Sequence, residues 1–278
     1  MRLRDRITPI LLNLLPLDNV AVFRYCRHYV DVYNGENNGD IRTNGELKLM
    51  QEYLPQSTIV FDVGANVGNW AKLALAVNPA ISLHCFEPSS YTYQKLLENH
   101  FPPNVNCNHF GLSSTRQQAN LFIFKEGSEL NSLYRREGLE DGYQIAPQSE
   151  SEPIELRTLD DYVEESGINT IDFLKVDIEG HELDFFRGSE KLLSQYKIKV
   201  IQFEYGGCNI DARVFLKDFF NLFSKYPHYR FYKIFPDSLR QIDRYDVQLD
   251  NFQYQNWAII YTQVPFSKIL FWKSERNL

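Results

Sequence analysis

The chain has 278 residues, enough to bury a full hydrophobic core, and one α/β domain with an extension is the default organisation. Its formal net charge of −7, from 36 acidic residues against 29 Lys and Arg, excludes general affinity for nucleic-acid backbones, although not a small nucleic-acid substrate. The four cysteines, Cys26, Cys85, Cys107 and Cys208, are widely separated in the sequence, and none forms a Cys-x-x-Cys motif. We therefore expect a reduced, cytoplasmic protein without a disulfide framework or structural zinc.

The N-terminal segment has two interpretations. Met1–Arg6 is basic and Ile7–Leu17 is mostly apolar, as in a signal peptide, but prolines interrupt the apolar run and no small-x-small cleavage site follows. The run is too short to cross a bilayer as a helix. It is therefore either a short amphipathic segment that packs on the domain or a peripheral contact with the inner face of a membrane.

The first βα unit carries the clearest ligand signal. After a short helix at Glu46–Tyr53, the run Ile59–Val63 predicts a buried strand, and a helix at Asn69–Val77 follows. Glycines in the intervening turn permit close approach of a ligand, and the helix N-terminus presents free N–H groups. The alternative is that the glycines only make a tight turn. The expected ligand contacts are Asp62, Gly64, Ala65, Asn66 and Gly68.

The turn lacks two common nucleotide motifs. Asn66 occupies the second glycine position of the dinucleotide fingerprint, no third glycine follows in register, and no P-loop Gly-Lys-Ser/Thr occurs. Asp62 would also repel a pyrophosphate. S-adenosylmethionine has no phosphate. It carries an ammonium, a carboxylate, a sulfonium and a ribose with two hydroxyls, and an acidic, partly glycine-lined pocket suits that charge distribution better. Glu87, followed by Pro88, closes the second predicted strand, Ile81–Phe86, where such folds place a carboxylate for ribose hydroxyls.

A long insertion follows the next helix, Tyr91–Asn99, and the third strand, Val105–Phe110. Residues 111–158 are too many for a plain crossover, and they contain two strand-like pieces, Ala119–Phe124 and Ile154–Leu156, around a polar stretch. We interpret this insertion as a hairpin with a lid over an acceptor site. A surface loop without a role in binding is the alternative.

The fourth strand, Ile171–Val176, is the expected centre of the sheet. Asp177 at its end lies where an open α/β sheet binds ligands, and Lys175 on the same face would bias the ionisation of Asp177. Glu204 ends the fifth strand nearby. The remaining predicted elements are a helix at Glu179–Gln195, a strand at Val200–Phe203, a helix at Val214–Phe223 and final strands at Arg230–Ile234 and Trp257–Tyr261.

Three motifs together resemble the FkbM family of S-adenosylmethionine-dependent methyltransferases. They are Asp62-Val-Gly-Ala-Asn-Val-Gly68, Phe86-Glu87-Pro88 and Asp172-Phe-Leu-Lys-Val-Asp177-Ile-Glu-Gly-His-Glu182. The resemblance implies a class I, Rossmann-like fold: a mostly parallel seven-stranded sheet with helices on both faces, an antiparallel last strand and the inserted hairpin or lid between strands three and four. It also implies O-methylation of a hydroxyl on a sugar, glycan or secondary metabolite.

The resemblance runs from about residue 45 to about residue 262. It suggests an N-terminal helical extension at 1–44, a methyltransferase domain at 45–265 containing the insertion, and a C-terminal tail at 266–278. Within the insertion, Ser128–Leu133 is most like the family, which makes Ser132 a candidate substrate contact beside Glu204.

Methyl transfer to an alcohol requires reactants held in contact and a group that takes the hydroxyl proton. His181 is the first candidate for this base, because its ordinary pKa lies near the working pH. Asp177 is the second, as base or as the group that orients the hydroxyl. Glu179 is a further catalytic candidate, or only a favourable charge at a helix N-terminus. The alternative for His181 is an exposed position in a first helical turn, and Glu182 is expected to face solvent.

A magnesium ion is a less favoured addition to the site. If one is bound, Asp177, Glu179 and Glu204 would supply its oxygen ligands. Such carboxylates also occur in any acidic ligand crevice, so the preferred interpretation has no metal.

Two other functional classes share this fold pattern. An NAD-dependent oxidoreductase is disfavoured by Asn66 and the missing third glycine, and a nucleobase amino-methyltransferase is disfavoured because Asp-Ile-Glu-Gly replaces its usual Asn/Asp-Pro-Pro-Tyr/Phe. A catalytically silent binding module is the non-enzymatic alternative. The partner is expected to be a small-molecule or glycan acceptor, whose identity the sequence leaves open together with the oligomeric state.

Overall fold

The computed structural model describes residues 18–136, 138 and 150–263. Its strands in chain order are β1 (Ile59–Val63), β2 (Ser82–Phe86), β3 (Val105–Asn108), β4 (Gly111–Leu112), β5 (Gln117–Ile123), β6 (Glu150–Arg157), β7 (Ile171–Val176), β8 (Ile198–Tyr205), β9 (Tyr229–Phe235), β10 (Ser238–Ile242) and β11 (Gln255–Tyr261). Its helices are α1 (Val20–Asn34), α2 (Glu46–Tyr53), α3 (Asn69–Val77), α4 (Ser90–Leu97), α5 (Leu159–Glu165), α6 (Glu182–Arg187), α7 (Glu190–Ser194), α8 (Cys208–Ala212) and α9 (Leu216–Phe223).

The main sheet has the strand order β10-β9-β11-β8-β7-β1-β2-β3. The five strands β8, β7, β1, β2 and β3 are parallel to one another. Strand β11 runs antiparallel to both of its neighbours, β8 and β9. This confirms the expected class I methyltransferase fold with an antiparallel last strand. The expectation of seven strands omitted β10, which pairs antiparallel with β9 at the edge.

Two hydrophobic clusters cover opposite faces of this sheet. On one face Phe61 and Leu174 pack with side chains of α5, α6 and α9, and on the other Val60 and Phe173 pack with side chains of α2 and α3. Successive residues of one strand therefore enter different cores, as the side-chain alternation of a β-strand requires. Each fully buried Phe or Leu contributes about 1.5–3 kcal/mol relative to an exposed one, so burial on both faces fixes the positions of the strand ends.

The insertion folds as a separate small sheet with the order β4-β6-β5. The antiparallel pairing of β5 with β6 confirms the hairpin predicted from Ala119–Phe124 and Ile154–Leu156. The central polar stretch, residues 137 and 139–149, lies outside the described residues, as do the N-terminal segment at 1–17 and the tail at 266–278. No helix among the residues described is long and apolar enough to cross a membrane.

One predicted helix was wrong in its extent. The span Glu179–Gln195 contains two short helices, α6 and α7, separated at Gly188 and preceded by a loop. The break has a packing cause, because a Cβ atom at Gly188 would overlap the carbonyl oxygen of Ser113. Helical periodicity alone could not reveal this contact, which comes from a distant part of the chain.

Candidate active site

A cavity of about 580 Å³ lies at the carboxyl ends of β1, β2, β7 and β8. Its wall includes Gly64 after β1, Glu87 after β2, Asp177 after β7 and Glu204 near the end of β8. The size is in the range of small-molecule sites, and the position is the usual ligand crevice of an open α/β sheet.

The turn after β1 supplies three of its five predicted contacts to this cavity: Gly64, Ala65 and Asn66. The amides of Gly64 and Ala65 both donate to the carbonyl oxygen of Phe86, each at 3.0 Å. Gly64 has φ +81°, and a Cβ there would overlap the carbonyl oxygen of Asp177. This glycine is thus required by packing between strand ends, whatever the ligand.

The other two predicted contacts lie outside the cavity lining. Gly68, with φ +86°, packs against Asn99, and a Cβ would lie 2.9 Å from its Nδ2 atom. Gly68 therefore serves the tight turn between β1 and α3, as in the alternative interpretation of the two glycines. Asp62 is fully buried in β1.

Glu87 joins the ends of β1 and β2. Its Oε2 accepts from the amide of Asn66 at 3.0 Å, and its Oε1 accepts from the amide of Ser89 at 2.9 Å. Burial raises the pKa of Glu87 to about 7, an effect that these backbone donors oppose. Because a carboxylate has about four acceptor sites, Glu87 retains capacity for the two hydroxyls of a ribose. Pro88, the next residue, also lines the cavity.

Lys175 lies between two acidic residues, Asp62 and Asp177, and forms ion pairs with both. Its Nζ lies 3.2 Å from Asp177 Oδ2 and 3.5 Å from Asp62 Oδ1. Burial alone would lower the pKa of Lys175, but the carboxylates of Asp177 and Asp62 raise it above its ordinary value. The predicted proximity of Lys175 and Asp177 is confirmed, and the ammonium also compensates the buried charge of Asp62.

Side chains of the insertion hydrogen-bond to the loop that follows β7. Glu179 has φ +53°, and its carbonyl oxygen accepts from Ser132 Oγ at 2.7 Å. Arg136 Nη1 donates to Glu179 Oε2 at 2.5 Å. The predicted substrate contact Ser132 is buried away from the cavity by this hydrogen bond, whereas its neighbours Asn131 and Leu133 line the cavity.

His181 is buried rather than exposed, with 8% of its surface accessible. Its Nε2 lies 2.8 Å from Ser113 Oγ, and its Nδ1 lies 2.9 Å from the hydroxyl of Tyr134. Burial lowers the pKa of His181 below its ordinary value. Both ring nitrogens of this residue of the cavity wall therefore lie within hydrogen-bond distance of hydroxyl groups.

Glu182 does not face solvent, and that expectation was wrong. The side chain is fully buried, and its Oε1 accepts from the amides of Ile178 at 3.0 Å and Gly180 at 3.2 Å. Burial raises the pKa of Glu182 to about 7. The residue therefore stabilises the loop after β7 from within, as a carboxyl group that bridges two backbone donors.

The acidic wall contains no arrangement suited to a metal within residues 18–136, 138 and 150–263, because no three His, Cys, Asp or Glu side chains there converge on one point. The alternative magnesium ligands Asp177, Glu179 and Glu204 all line the cavity. Glu179 is paired with Arg136 and Asp177 with Lys175, so two of the three already have cationic partners.

Sequence reasoning missed many residues of the wall, including the ionisable side chains of Glu46, Arg136 and Tyr254. Glu46 begins α2, and its carboxylate accepts from Asn44, Gln202 and Asn256. Arg136 belongs to the insertion, and Tyr254 immediately precedes β11.

Comparisons with known proteins agree with the family indicated by the three sequence motifs. Residues 62–231 match the family model described as the methyltransferase FkbM domain. The 2-O-methyltransferase NoeI of Sinorhizobium fredii is 26% identical over 155 residues, which cover 53% of this chain and 63% of that protein. The hexuronic acid methyltransferase AglP of Haloferax volcanii is 25% identical over 162 residues, covering 58% and 62%.

A third relative, the 31-O-demethyl-FK506 methyltransferase FkbM of Streptomyces tacrolimicus, is 25% identical over 154 residues, covering 48% of this chain and 59% of that protein. The chain thus spans a little under two thirds of the length of each of these three relatives.

Proposed function

The chain belongs to the FkbM family of methyltransferases, and we propose on this basis that it transfers a methyl group from S-adenosylmethionine to a hydroxyl oxygen of a small-molecule or glycan acceptor. One observation carries the proposal. The glycine turn and Glu87 form one wall of the same cavity in which Asp177 and Glu204 form another. A donor bound at the first wall would present its reacting carbon toward the second.

The residues present fit this donor. The backbone of Gly64, Ala65 and Asn66 borders the cavity, and Glu87 can accept the two ribose hydroxyls. The Asp177 carboxylate supplies negative charge for an ammonium or a sulfonium. When bound, the sulfonium supplies a methyl carbon that is already activated for displacement, so the protein has to align the reactants and take up one proton.

The base assignment changes with the geometry. His181, ranked first from the sequence, would have to release Ser113 or Tyr134 before either ring nitrogen could meet an acceptor. We therefore assign His181 to the cavity wall and the proton transfer to a cavity carboxylate. Asp177 remains the group that orients the acceptor hydroxyl, since its carboxylate reaches the cavity while Lys175 holds one oxygen. Glu179 keeps Arg136 in place.

The relatives indicate the class of acceptor. Their names specify a 2-O-methyltransferase, a hexuronic acid methyltransferase and a methyltransferase of demethylated FK506. These names favour oxygen as the methylated atom and either a sugar or a natural product as the acceptor. The identities near 25% support the class and not a particular molecule.

The direct test is transfer of radiolabelled methyl from S-adenosylmethionine to a panel of hydroxylated acceptors: sugars, uronic acids and macrolides. The proposal predicts label in at least one acceptor, in a linkage stable to base as an ether is. A base-labile ester or label on nitrogen would contradict O-methylation of a hydroxyl. Binding of S-adenosylmethionine without transfer to any acceptor would favour the silent binding module, and binding of NAD in its place would favour the oxidoreductase.

A further inference from the structure

Glu204 and Asp177 lie side by side at the ends of neighbouring strands. Strands β7 and β8 are parallel, with Lys175 opposite Gln202. Two residues further along, Asp177 and Glu204 therefore project from the same face of the sheet. Both side chains line the cavity, next to the walls formed by Gly64 and Glu87.

Glu204 differs from the other acidic residues of the cavity in its partners. Among described residues, its carboxylate makes no hydrogen bond or ion pair, although it is largely enclosed. Glu46 and Glu87 accept hydrogen bonds, and Asp177 and Glu179 pair with Lys175 and Arg136. Glu129 is exposed in the insertion. An enclosed carboxylate facing a cavity without a protein partner is available to a group on the substrate.

The surroundings of Glu204 are also unusual in charge. Burial raises the pKa of Glu204 well above its ordinary value, and neighbouring carboxylates raise it further. The titratable groups around it are Asp177 and Glu179 after β7, Glu182 in α6, Glu46 in α2, Cys208 in α8 and Tyr254 before β11. Two cations, Lys175 in β7 and Arg136 in the insertion, line the same cavity.

We infer that Glu204 is the general base of the methyl transfer and that Asp177 orients the acceptor hydroxyl beside it. This rests on the proposed function. In the step, the acceptor oxygen forms a bond to the methyl carbon while the carbon–sulfur bond breaks and its electron pair stays on sulfur. The hydroxyl proton passes to the Glu204 carboxylate and then to solvent. The products are the methyl ether and S-adenosylhomocysteine, so no oxidant or metal is needed for balance.

The first test measures the carboxyl group itself. Protein labelled with ¹³C at the Glu side-chain carboxyls and loaded with S-adenosylhomocysteine is titrated by NMR, and comparison with Glu204→Gln assigns the resonance of Glu204. The inference predicts a pKa above the ordinary Glu value, and a lower one in Asp177→Asn, because that variant removes a neighbouring negative charge. A Glu204 carboxyl that titrates in the ordinary range, or whose pKa is the same in Asp177→Asn as in the wild type, overturns the inference.

The second test measures transfer to a mixture of the methyl glycosides of glucose, galactose, rhamnose and fucose. Glu204→Gln should lower kcat by roughly 10²–10⁴-fold, with affinity for S-adenosylhomocysteine within about twofold of the wild type, and Glu204→Asp should recover part of the rate. The wild-type rate should rise with pH as Glu204 loses its proton, and the pH–rate profile of Glu204→Gln should lack this rise. The matched control is Glu165→Gln, an exposed residue of α5, which should behave like the wild type.

The two proposals fail in different ways. If the wild type turns over and the kcat of Glu204→Gln is within about threefold of it, the role of Glu204 is overturned, because loss of a general base lowers the rate far more than that. The proposed methyltransferase function then stands. A wild type that binds no S-adenosylhomocysteine overturns the proposed function. If the wild type binds it but methylates none of these glycosides, the wider panel of sugars, uronic acids and macrolides supplies the acceptor, and the same comparison of the wild type with Glu204→Gln decides about Glu204.

Discussion

The hydroxyl of Tyr134 lies 2.9 Å from Nδ1 of His181, so the insertion contacts the loop after β7 through a direct hydrogen bond. Ser132 and Arg136 add contacts to Glu179 in the same loop. The insertion therefore holds residues of the cavity wall in position.

Replacement of Tyr134 by Phe should lower the free energy of unfolding by about 1–3 kcal/mol, because a buried ring nitrogen of His181 loses its partner. Urea denaturation at neutral pH measures this change. Tyr25→Phe on the exposed surface of α1 is the matched control and should have little effect. Equal stability of the two variants would show that the hydrogen bond to His181 does not hold the loop.

Gly64→Ala should destabilise the protein even without any ligand. The backbone has φ +81°, and the added Cβ would overlap the carbonyl oxygen of Asp177. We expect a loss above about 2 kcal/mol in urea denaturation. Gly207→Ala is the control, since that residue has φ −59° and open space around its Cβ position. If Gly64→Ala loses only ligand affinity and keeps its stability, the glycine serves the ligand and not the packing of the turn.

Lys175→Met should cost about 3–5 kcal/mol, because removal of one partner leaves buried negative charge without compensation. The fully buried Asp62 is the residue most affected. Lys175→Met combined with Asp62→Asn should recover part of this loss, while Lys199→Met, in an exposed ion pair with Asp172, should cost less than about 1 kcal/mol. A double variant no more stable than Lys175→Met would contradict the pairing.

Glu182 should make the protein less stable as the pH rises. Its pKa is about 7 in the folded protein against 4.5 for the ordinary group, so between these values the folded state holds a proton that the unfolded state has lost. The stabilisation is complete below pH 4.5 and disappears as the pH passes the folded pKa, by about 3 kcal/mol in total.

Glu182→Gln should remove this dependence. The amide oxygen can still accept from Ile178 and Gly180, so the stability of the variant relative to the wild type should increase between pH 4.5 and pH 8. Glu165→Gln is the exposed control, and its difference from the wild type should stay constant. Parallel curves for the wild type and Glu182→Gln would contradict the raised pKa.

The sequence predicted those parts of the fold that depend on local pattern. The strand Ile171–Val176 and the helix Asn69–Val77 occur within the predicted bounds, because buried apolar runs and helical periodicity are visible in short windows. For the same reason the turn after β1 and the position of Glu87 at a strand end were predictable.

The contacts around His181 were not predictable in this way. Ser113 and Tyr134 are distant from His181 in the chain, and the three meet only when the insertion packs on the loop after β7. The complete burial of Glu182, at the first position of α6, was not predictable either. These are effects of tertiary packing, which a periodic pattern does not encode.

Isothermal titration of the wild type and Glu87→Ala with S-adenosylhomocysteine tests the central claim most directly. We predict saturable binding at one site per chain in the wild type, weaker by roughly 100-fold in Glu87→Ala because both ribose hydroxyls lose a charged acceptor, and no binding of NAD by either. Absence of binding in the wild type, or equal affinity in the two proteins, would contradict the assignment of this cavity as the site of a methyl donor.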